Sequence, residues 1–323
     1  MMQNKKKSKN GVVELPPHHP SNPHKDGYDF DLLEEKDPSL SKYVITKQNG
    51  LKTINFSDDL SVRALNSALI KAHYEISDWN IPRNNLVPPV PGRADYVLYL
   101  ADLLSECNEG VIPTDKVKGV DIGTGASLIY PIIGRKLFQW SFVASEQSQA
   151  SIQHGLSILK ANDLGPSAIK LVHQKAIKQY FKGVIREGEC YDFTMCNPPF
   201  YSSEAEAEKA NIQKWQKLHR DKPVLPKRNF SGQDAELWVP GGELLFVKFM
   251  IKESLNHKDQ VLWFSALVSQ KDHIFDLKKQ LKKVGVADFR EIKMMQGQKR
   301  TRFLAWTFQD EQARKDWAAK NWK

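Results

Sequence analysis

Residues 118–127 read KGVDIGTGAS, an apolar run that ends in a glycine-rich turn. Glycines at 123 and 125 free such a turn from Cβ clashes and let the backbone come close to a ligand. A turn of this kind straight after a strand predicts an α/β sheet whose ligand lies in the crevice at the strand C-termini. The sixth position of the dinucleotide-binding pattern is Leu128 in place of Gly, which counts against a dehydrogenase.

Outward from the turn, strands and helices alternate. FVASE (142–146), IKLVH (169–173), YDFTMC (191–196) and VLWFSALV (261–268) are short runs rich in β-branched and aromatic residues. Helical patterns lie between them, notably Gly242 to Asn256 and Asp272 to Lys283. This order predicts a doubly wound, mostly parallel sheet with helices on both faces. FREIKMMQ (289–296) and FLAWTFQ (303–309) then predict an antiparallel C-terminal edge. We assign 91–310 to this α/β domain and 311–323 to a C-terminal tail. Residues 201–241 interrupt it as a polar insert, too long for an ordinary loop, that is expected to close over the acceptor.

The N-terminal side has a different composition. Residues 1–26 carry four lysines among the first nine and then a Pro/His-rich run, which predicts a basic arm without regular structure. Composition leaves a solvated tail and a phosphate-contacting arm both open. His18, His19 and His24 have no cysteine or carboxylate set nearby in sequence, so a mobile or RNA-facing arm is expected of them and not a metal site. Ser57, Asp58 and Asp59 suit a helix N-terminus, and Leu60, Ala64, Leu65, Ala68, Leu69 and Ala72 follow at helical spacing. Residues 27–90 therefore form a small packed helical module. VPPVPG (87–92) is a stiff junction before an amphipathic helix from Arg93 to Leu104.

The chain of 323 residues carries 47 Lys and Arg against 38 Asp and Glu, a net charge of +9 that favours polyanions as partners. Three dispersed cysteines argue against a disulfide framework or zinc ribbon. With neither a signal-like apolar segment after the basic N-terminus nor a run long enough to span a bilayer, a cytoplasmic protein is expected.

Chemistry concentrates at two further places. Glu146 ends the second strand of the sheet, where an acidic residue accepts hydrogen bonds from ribose hydroxyls. Asn197-Pro198-Pro199-Phe200 closes the fourth. Two prolines remove two N–H donors and leave carbonyls as pure acceptors. If Asn197 Oδ1 and the Pro198 carbonyl each take one N–H of an amino group, its lone pair turns toward an incoming methyl group. The same dipoles stabilise positive charge developing on nitrogen. Phe200 would stack on a planar acceptor. Cys196 reads as an ordinary buried strand residue.

DIGTGAS (121–127), SEQSQ (145–149) and CNPPF (196–200) resemble the class I adenine-N6 RNA methyltransferases, which have a Rossmann-like fold. NPHKDGYDFDLL (22–33), VRALN (62–66), WNIPRNNLVPPVPGRADY (79–96) and QGQKRTRFLAWTF (296–308) are similar to the bacterial 23S ribosomal RNA adenine-N6 methyltransferase family, whose eukaryotic relatives methylate the U6 small nuclear RNA. The resemblance implies S-adenosyl-L-methionine as methyl donor, with no metal. It implies cofactor contacts at Arg93, Asp121, Gly123, Gly125, Glu146 and Asn197, an acceptor at Asn197 and Pro198, and Phe200 against the base. Ala176 stands where a polar side chain would meet the cofactor adenine, and Gln174 is the nearest candidate for that contact. The implied partner is large-subunit ribosomal RNA, with residues 27–90 assisting and no obligate protein partner. Lys299, Arg300 and Arg302, the densest basic cluster near the C-terminal edge, are expected to hold RNA phosphates. A guanine-N2 RNA methyltransferase, a glutamine-N5 protein methyltransferase and a non-enzymatic RNA-binding or assembly factor are the competing readings.

Overall fold

The computed structural model describes residues 18–83, 85–176, 178–218, 238–296 and 299–323. The N-terminal module comprises helix α1 (Phe30–Lys36), the hairpin β1 (Val44–Thr46) and β2 (Lys52–Ile54), and helix α2 (Asp59–Tyr74). The Asp29 side chain caps α1 at the Leu32 N–H, and that of Asp58 caps α2 at the Ser61 N–H. Both satisfy donors that a helix start leaves unpaired. Helix α3 (Val90–Ser105) follows, with Pro91 in its first turn, where a missing N–H is harmless. It is nearly buried on all sides: Ala94, Tyr96, Val97, Leu100, Ala101 and Leu104 are 0% exposed.

The sheet then builds outward from its centre. Strand β3 (Lys118–Ile122) pairs in parallel with β4 (Ser141–Glu146) and β6 (Tyr191–Cys196). β5 (Ile169–His173) joins β4, and β7 (Val261–Leu267) joins β6, both in parallel. β9 (Lys299–Thr307) is antiparallel to β7 and to β8 (Asp288–Gln296), which gives the order β5-β4-β3-β6-β7-β9-β8. The connecting helices are α4 (Ile129–Phe138), α5 (Gln149–Ala161), α6 (Glu204–Leu218), α7 (Gly242–Ser254) and α8 (His273–Val284). Gly119 is required at the centre, since a Cβ there would lie 2.5 Å from Phe193 and 2.9 Å from Phe142, the rings that pack across β3.

Two buried clusters flank the sheet. One, under α7 and α8, holds Phe181, Phe264, Leu277 and Trp306. The other runs without a break from Phe30 and Leu69 of the N-terminal module through Tyr96 to Trp140, Phe193 and Phe303. The expected boundary at residue 90 is therefore not a boundary of the core. Tyr96 ties α3 to the sheet: its hydroxyl meets Ser265 Oγ at 2.8 Å, and Ser265 donates to the Thr194 carbonyl at 2.7 Å.

Two expectations need correction. Residues 18–26 do not form a mobile arm, because His19, Asn22 and His24 are buried. His18 Nδ1 meets Asp95 Oδ2 at 2.8 Å, His19 Nε2 meets Asp102 Oδ2 at 2.9 Å, and Asn22 Nδ2 donates to Asp95 Oδ1 at 2.6 Å. Burial, together with His73 and His18 nearby, pushes the His24 pKa down to about 3, so its imidazole is neutral. Residues 1–17 lie outside the described residues. Residues 311–323 are no tail: helix α9 (Glu311–Asn321) carries Trp317 and ends at the cap residue Trp322, and the two indole N–H groups both donate to Asp192 Oδ1, at 2.7 and 2.9 Å. The insert begins with α6 and returns through a bridge between Tyr201 and Trp238; 219–237 lie outside the described residues. Among the described residues no helix is long and apolar enough to cross a membrane.

Candidate active site

At the C-terminal ends of the parallel strands lies a cavity of about 470 Å³. It is walled by the strap 85–89 with Arg93, by the turn 122–127, by 145–147, by Gln174 and 178–180, by Cys196, Asn197, Pro199 and Phe200, and by Phe246 and Phe249 of α7.

The turn and Glu146 are one hydrogen-bonded unit. The N–H groups of Gly123 and Thr124 both donate to the Ser145 carbonyl at 3.0 Å, and Gly125 N–H donates to Glu146 Oε2 at 2.9 Å. The other oxygen, Oε1, accepts from Gln147 N–H at 2.7 Å and from Ser148 N–H at 2.9 Å. Gly123 and Gly125 have φ of +71° and +66°, which side chains with a Cβ rarely adopt. Asp121 lies beneath, 1% exposed, with neither carboxylate oxygen partnered, and the Thr124 hydroxyl is also without a partner. Burial pushes the Asp121 pKa up to about 7; the nearby Thr124 hydroxyl and Arg93 oppose the rise, and Glu146 adds to it.

Arg93 projects from the first turn of α3. Its Nη1 donates to the Tyr130 hydroxyl at 2.8 Å, and its guanidinium sits 5.5 Å from the Tyr130 ring centroid. Its Nε is buried without a partner. Opposite, Asn197 Oδ1 is likewise buried and unpartnered. Asn197 is aimed by what precedes it: Cys196 N–H donates to the Tyr96 hydroxyl at 3.4 Å, at the head of the Tyr96–Ser265–Thr194 chain. Cys196 is 1% exposed and burial holds its thiol pKa well above the usual value, so it is no thiolate nucleophile. Pro199 and Phe200 line the cavity; Pro198 is buried behind them.

The residues singled out in the sequence thus divide. Arg93, Gly123, Gly125, Glu146, Gln174, Asn197 and Phe200 line one cavity, with Asp121 underneath. The Gln174 side chain is occupied by its own loop, donating to the Lys182 carbonyl at 2.9 Å and accepting from Ala176 N–H at 3.0 Å. The basic cluster comes apart. Arg300 is exposed, but Arg302 is 8% exposed and faces Glu291, with Nε 3.9 Å from the carboxylate, so it is not a surface phosphate contact. Arg300 and Arg302 share one face of β9, so what separates them is depth along the strand: Arg302 adjoins the buried run from Phe303 to Trp306, whereas Arg300 pairs with Met295 near the open end of the hairpin. The Lys299 side chain lies outside the described residues.

Two important residues lie in the N-terminal module and were not identified from sequence. Arg63 uses its whole fork: Nε on Asp59 Oδ2 at 2.6 Å, Nη1 on the carbonyls of Ile81 and Pro82 at 3.1 and 3.3 Å, and Nη2 on those of Arg83 and Asn85 at 3.3 and 2.8 Å. It thereby shapes the strap that walls the cavity. Trp79, 3% exposed, donates its indole N–H to the Ser127 carbonyl at the end of the glycine turn. In sequence Arg63 is indistinguishable from a solvated helix charge.

A sheet of this order, with a glycine turn and Asn-Pro-Pro-Phe at its crevice, defines a class I methyltransferase. The chain belongs to the RNA methyltransferase family whose model matches residues 13–310, and it is a methyltransferase enzyme. It is 45% identical over 302 residues to the ribosomal RNA large subunit methyltransferase F of Flavobacterium johnsoniae, covering 93% of this chain and 96% of that one. It is 46% identical over 297 residues to the protein of the same name from Pseudoalteromonas translucida, covering 92% and 94%. Among solved structures it resembles the human METTL16 catalytic domain in complex with MAT2A 3′UTR hairpin 1, with a TM-score of 0.76, 32% identity and 91% and 96% of the two chains covered. The N-terminal domain of human METTL16 in complex with SAH aligns with a TM-score of 0.71 and 31% identity, covering 91% and 99%.

Proposed function

We propose that this protein transfers the methyl group of S-adenosyl-L-methionine to the exocyclic N6 amino group of an adenine in large-subunit ribosomal RNA, in the cytoplasm. The observation that carries this reading is one cavity whose lining residues Asn197 and Arg93 hold unpartnered polar atoms, Oδ1 and Nε, with the unpartnered Asp121 carboxylate beneath it. Each such atom costs about 1–3 kcal/mol while unpaired, so a ligand of matching polarity is favoured there. Arg93 offers a donor to a carboxylate, Asp121 offers acceptors to an ammonium group, and Glu146, held by three backbone N–H groups, offers its remaining lone pairs to ribose hydroxyls. The SAH complex of the METTL16 neighbour supports this choice of cofactor.

The cofactor supplies a methyl group already activated as a sulfonium. The protein's part is to present the nucleophile. Asn197 Oδ1 and the Pro198 carbonyl each accept one N–H of the adenine amino group, turning its lone pair toward the methyl carbon and stabilising the charge that develops on nitrogen. Phe200 stacks on the base. Because a paired adenine hides its amino group, the target is presented unpaired or flipped out. Residues 27–90 and the insert assist on the RNA side. Large-subunit RNA as substrate is supported by the relatives named for it and by the charge of +9.

The test is transfer from labelled S-adenosylmethionine to total RNA of cells lacking this protein, followed by nucleoside analysis, with Asn197→Ala as control. Label in N6-methyladenosine of large ribosomal RNA, abolished by the substitution, is expected. Label in N2-methylguanosine would replace the acceptor. Label in no RNA would move the reading to a protein glutamine or to a non-enzymatic RNA-binding factor.

A further inference from the structure

Helix α7 turns Phe246, Phe249 and Glu253 to one side, at spacings of three and four residues, so that they form a single stripe. The two outer members are committed to the loop 174–182. Phe246 packs edge-on against Tyr180 with ring centroids 4.6 Å apart. Glu253 accepts the N–H groups of Tyr180, Phe181 and Lys182 at 2.8, 3.0 and 2.9 Å. Phe249, between them, lines the cavity, is 47% exposed and makes no ring contact among the described residues. An apolar ring left in water is unfavourable, yet it is what a stacking platform for a planar group requires. With both neighbours pinned, the platform is held rigid before anything binds.

The geometry points to Phe249 as a specificity-determining residue that stacks on the base next to the target adenine. This rests on the RNA-methylating reading of the same cavity. The target base itself goes to Phe200, inside, beside Asn197. Phe249 lies half in solvent, so its partner is a group at the mouth, as the neighbouring nucleotide of an extruded base is. Lys178, exposed on the same rim, meets the intervening phosphate. Base–aromatic stacking tolerates any base but favours purines, so a context preference beside the target follows.

Steady-state methylation of large-subunit RNA, with S-adenosylhomocysteine affinity by calorimetry, tests this in wild type and in Phe249→Ala, Phe249→Leu and Phe249→Trp. We expect Phe249→Ala to lower kcat/KM for RNA by about tenfold or more, mainly through KM, with cofactor affinity unchanged and Phe249→Trp close to wild type. Phe249→Leu, apolar but unable to stack, should behave like Phe249→Ala. Wild-type kinetics in Phe249→Ala, full rescue by Leu, or a parallel loss of cofactor affinity would overturn the inference while leaving RNA methylation intact. A wild-type enzyme that methylates no RNA would instead remove the reading beneath it.

Discussion

Trp79 donates its indole N–H to the carbonyl of Ser127 across 2.8 Å of buried interior, joining the N-terminal module to the glycine turn. The next residue, Leu128, has φ of +52°, a strained value for a side chain of that size. The indole thus fixes a peptide that would otherwise relax. Trp79→Phe keeps an aromatic ring and deletes the donor. It should weaken S-adenosylhomocysteine binding by about three- to tenfold, equivalent to one net hydrogen bond, as read by calorimetry. Unchanged affinity would mean that the contact serves the fold alone.

Arg63 makes five hydrogen bonds, one to Asp59 on its own helix and four to the carbonyls of Ile81, Pro82, Arg83 and Asn85, which lead into the strap. Lysine has three donors and no fork. Arg63→Lys should therefore lose about 2–3 kcal/mol in denaturant unfolding, with at least two carbonyls left unmatched, and should lower kcat/KM at a temperature where the variant remains folded. Full activity there would separate the strap from catalysis.

Asp121, with a pKa raised to about 7, is protonated in the ligand-free protein below that pH. A bound cation favours the carboxylate, so cofactor affinity should rise as pH increases from 6 to 8, by at most about tenfold per unit. Asp121→Asn should flatten the profile. The stability sign is opposite to the usual carboxylate case. The folded state holds a proton that the unfolded state releases near its ordinary value of 3.8, so ligand-free stability declines as pH rises through the window up to about 7. In the Asn variant this decline should disappear from a Tm series against pH.

Removing residues 311–323 takes both indole donors from Asp192, a buried carboxylate whose pKa is raised by burial and held in check by the Lys118 N–H and the two indoles. Truncation should destabilise by about 3 kcal/mol or more, measurable as a fall in Tm of several degrees. Asp192→Asn in the full chain should cost less, since the amide carries no charge to desolvate.

The local signals of the sequence survived translation into structure. VLWFSALV coincides with β7 because a strand buried on both faces reads as a nearly continuous apolar run, and IKLVH matches β5, a half-buried edge strand, through its β-branched residues. The glycine turn, Glu146 and NPPF were visible as motifs because each is a short contiguous device at a strand end. What stayed hidden depended on distant partners. His18, His19 and Asn22 look like a solvated stretch until Asp95, more than seventy residues on, is brought beside them. The hairpin of β1 and β2 is three residues a side, too short for a period to register. Arg302 could not be told from Arg300 in the sequence, because both occupy one strand face and differ only in depth along the hairpin.

Tyr96 has a consequence for how the chain is made. Its hydroxyl waits for Ser265 and its ring for Phe303, whose centroid lies 4.7 Å away. The central helix therefore leaves the ribosome roughly two hundred residues before its last neighbour exists, an interval of about 10–40 s at ordinary elongation rates. For that time an almost wholly apolar helix stands partly uncovered. Nascent chains arrested before β9 should be chaperone clients and protease-sensitive, and release of the final hairpin should end both conditions together.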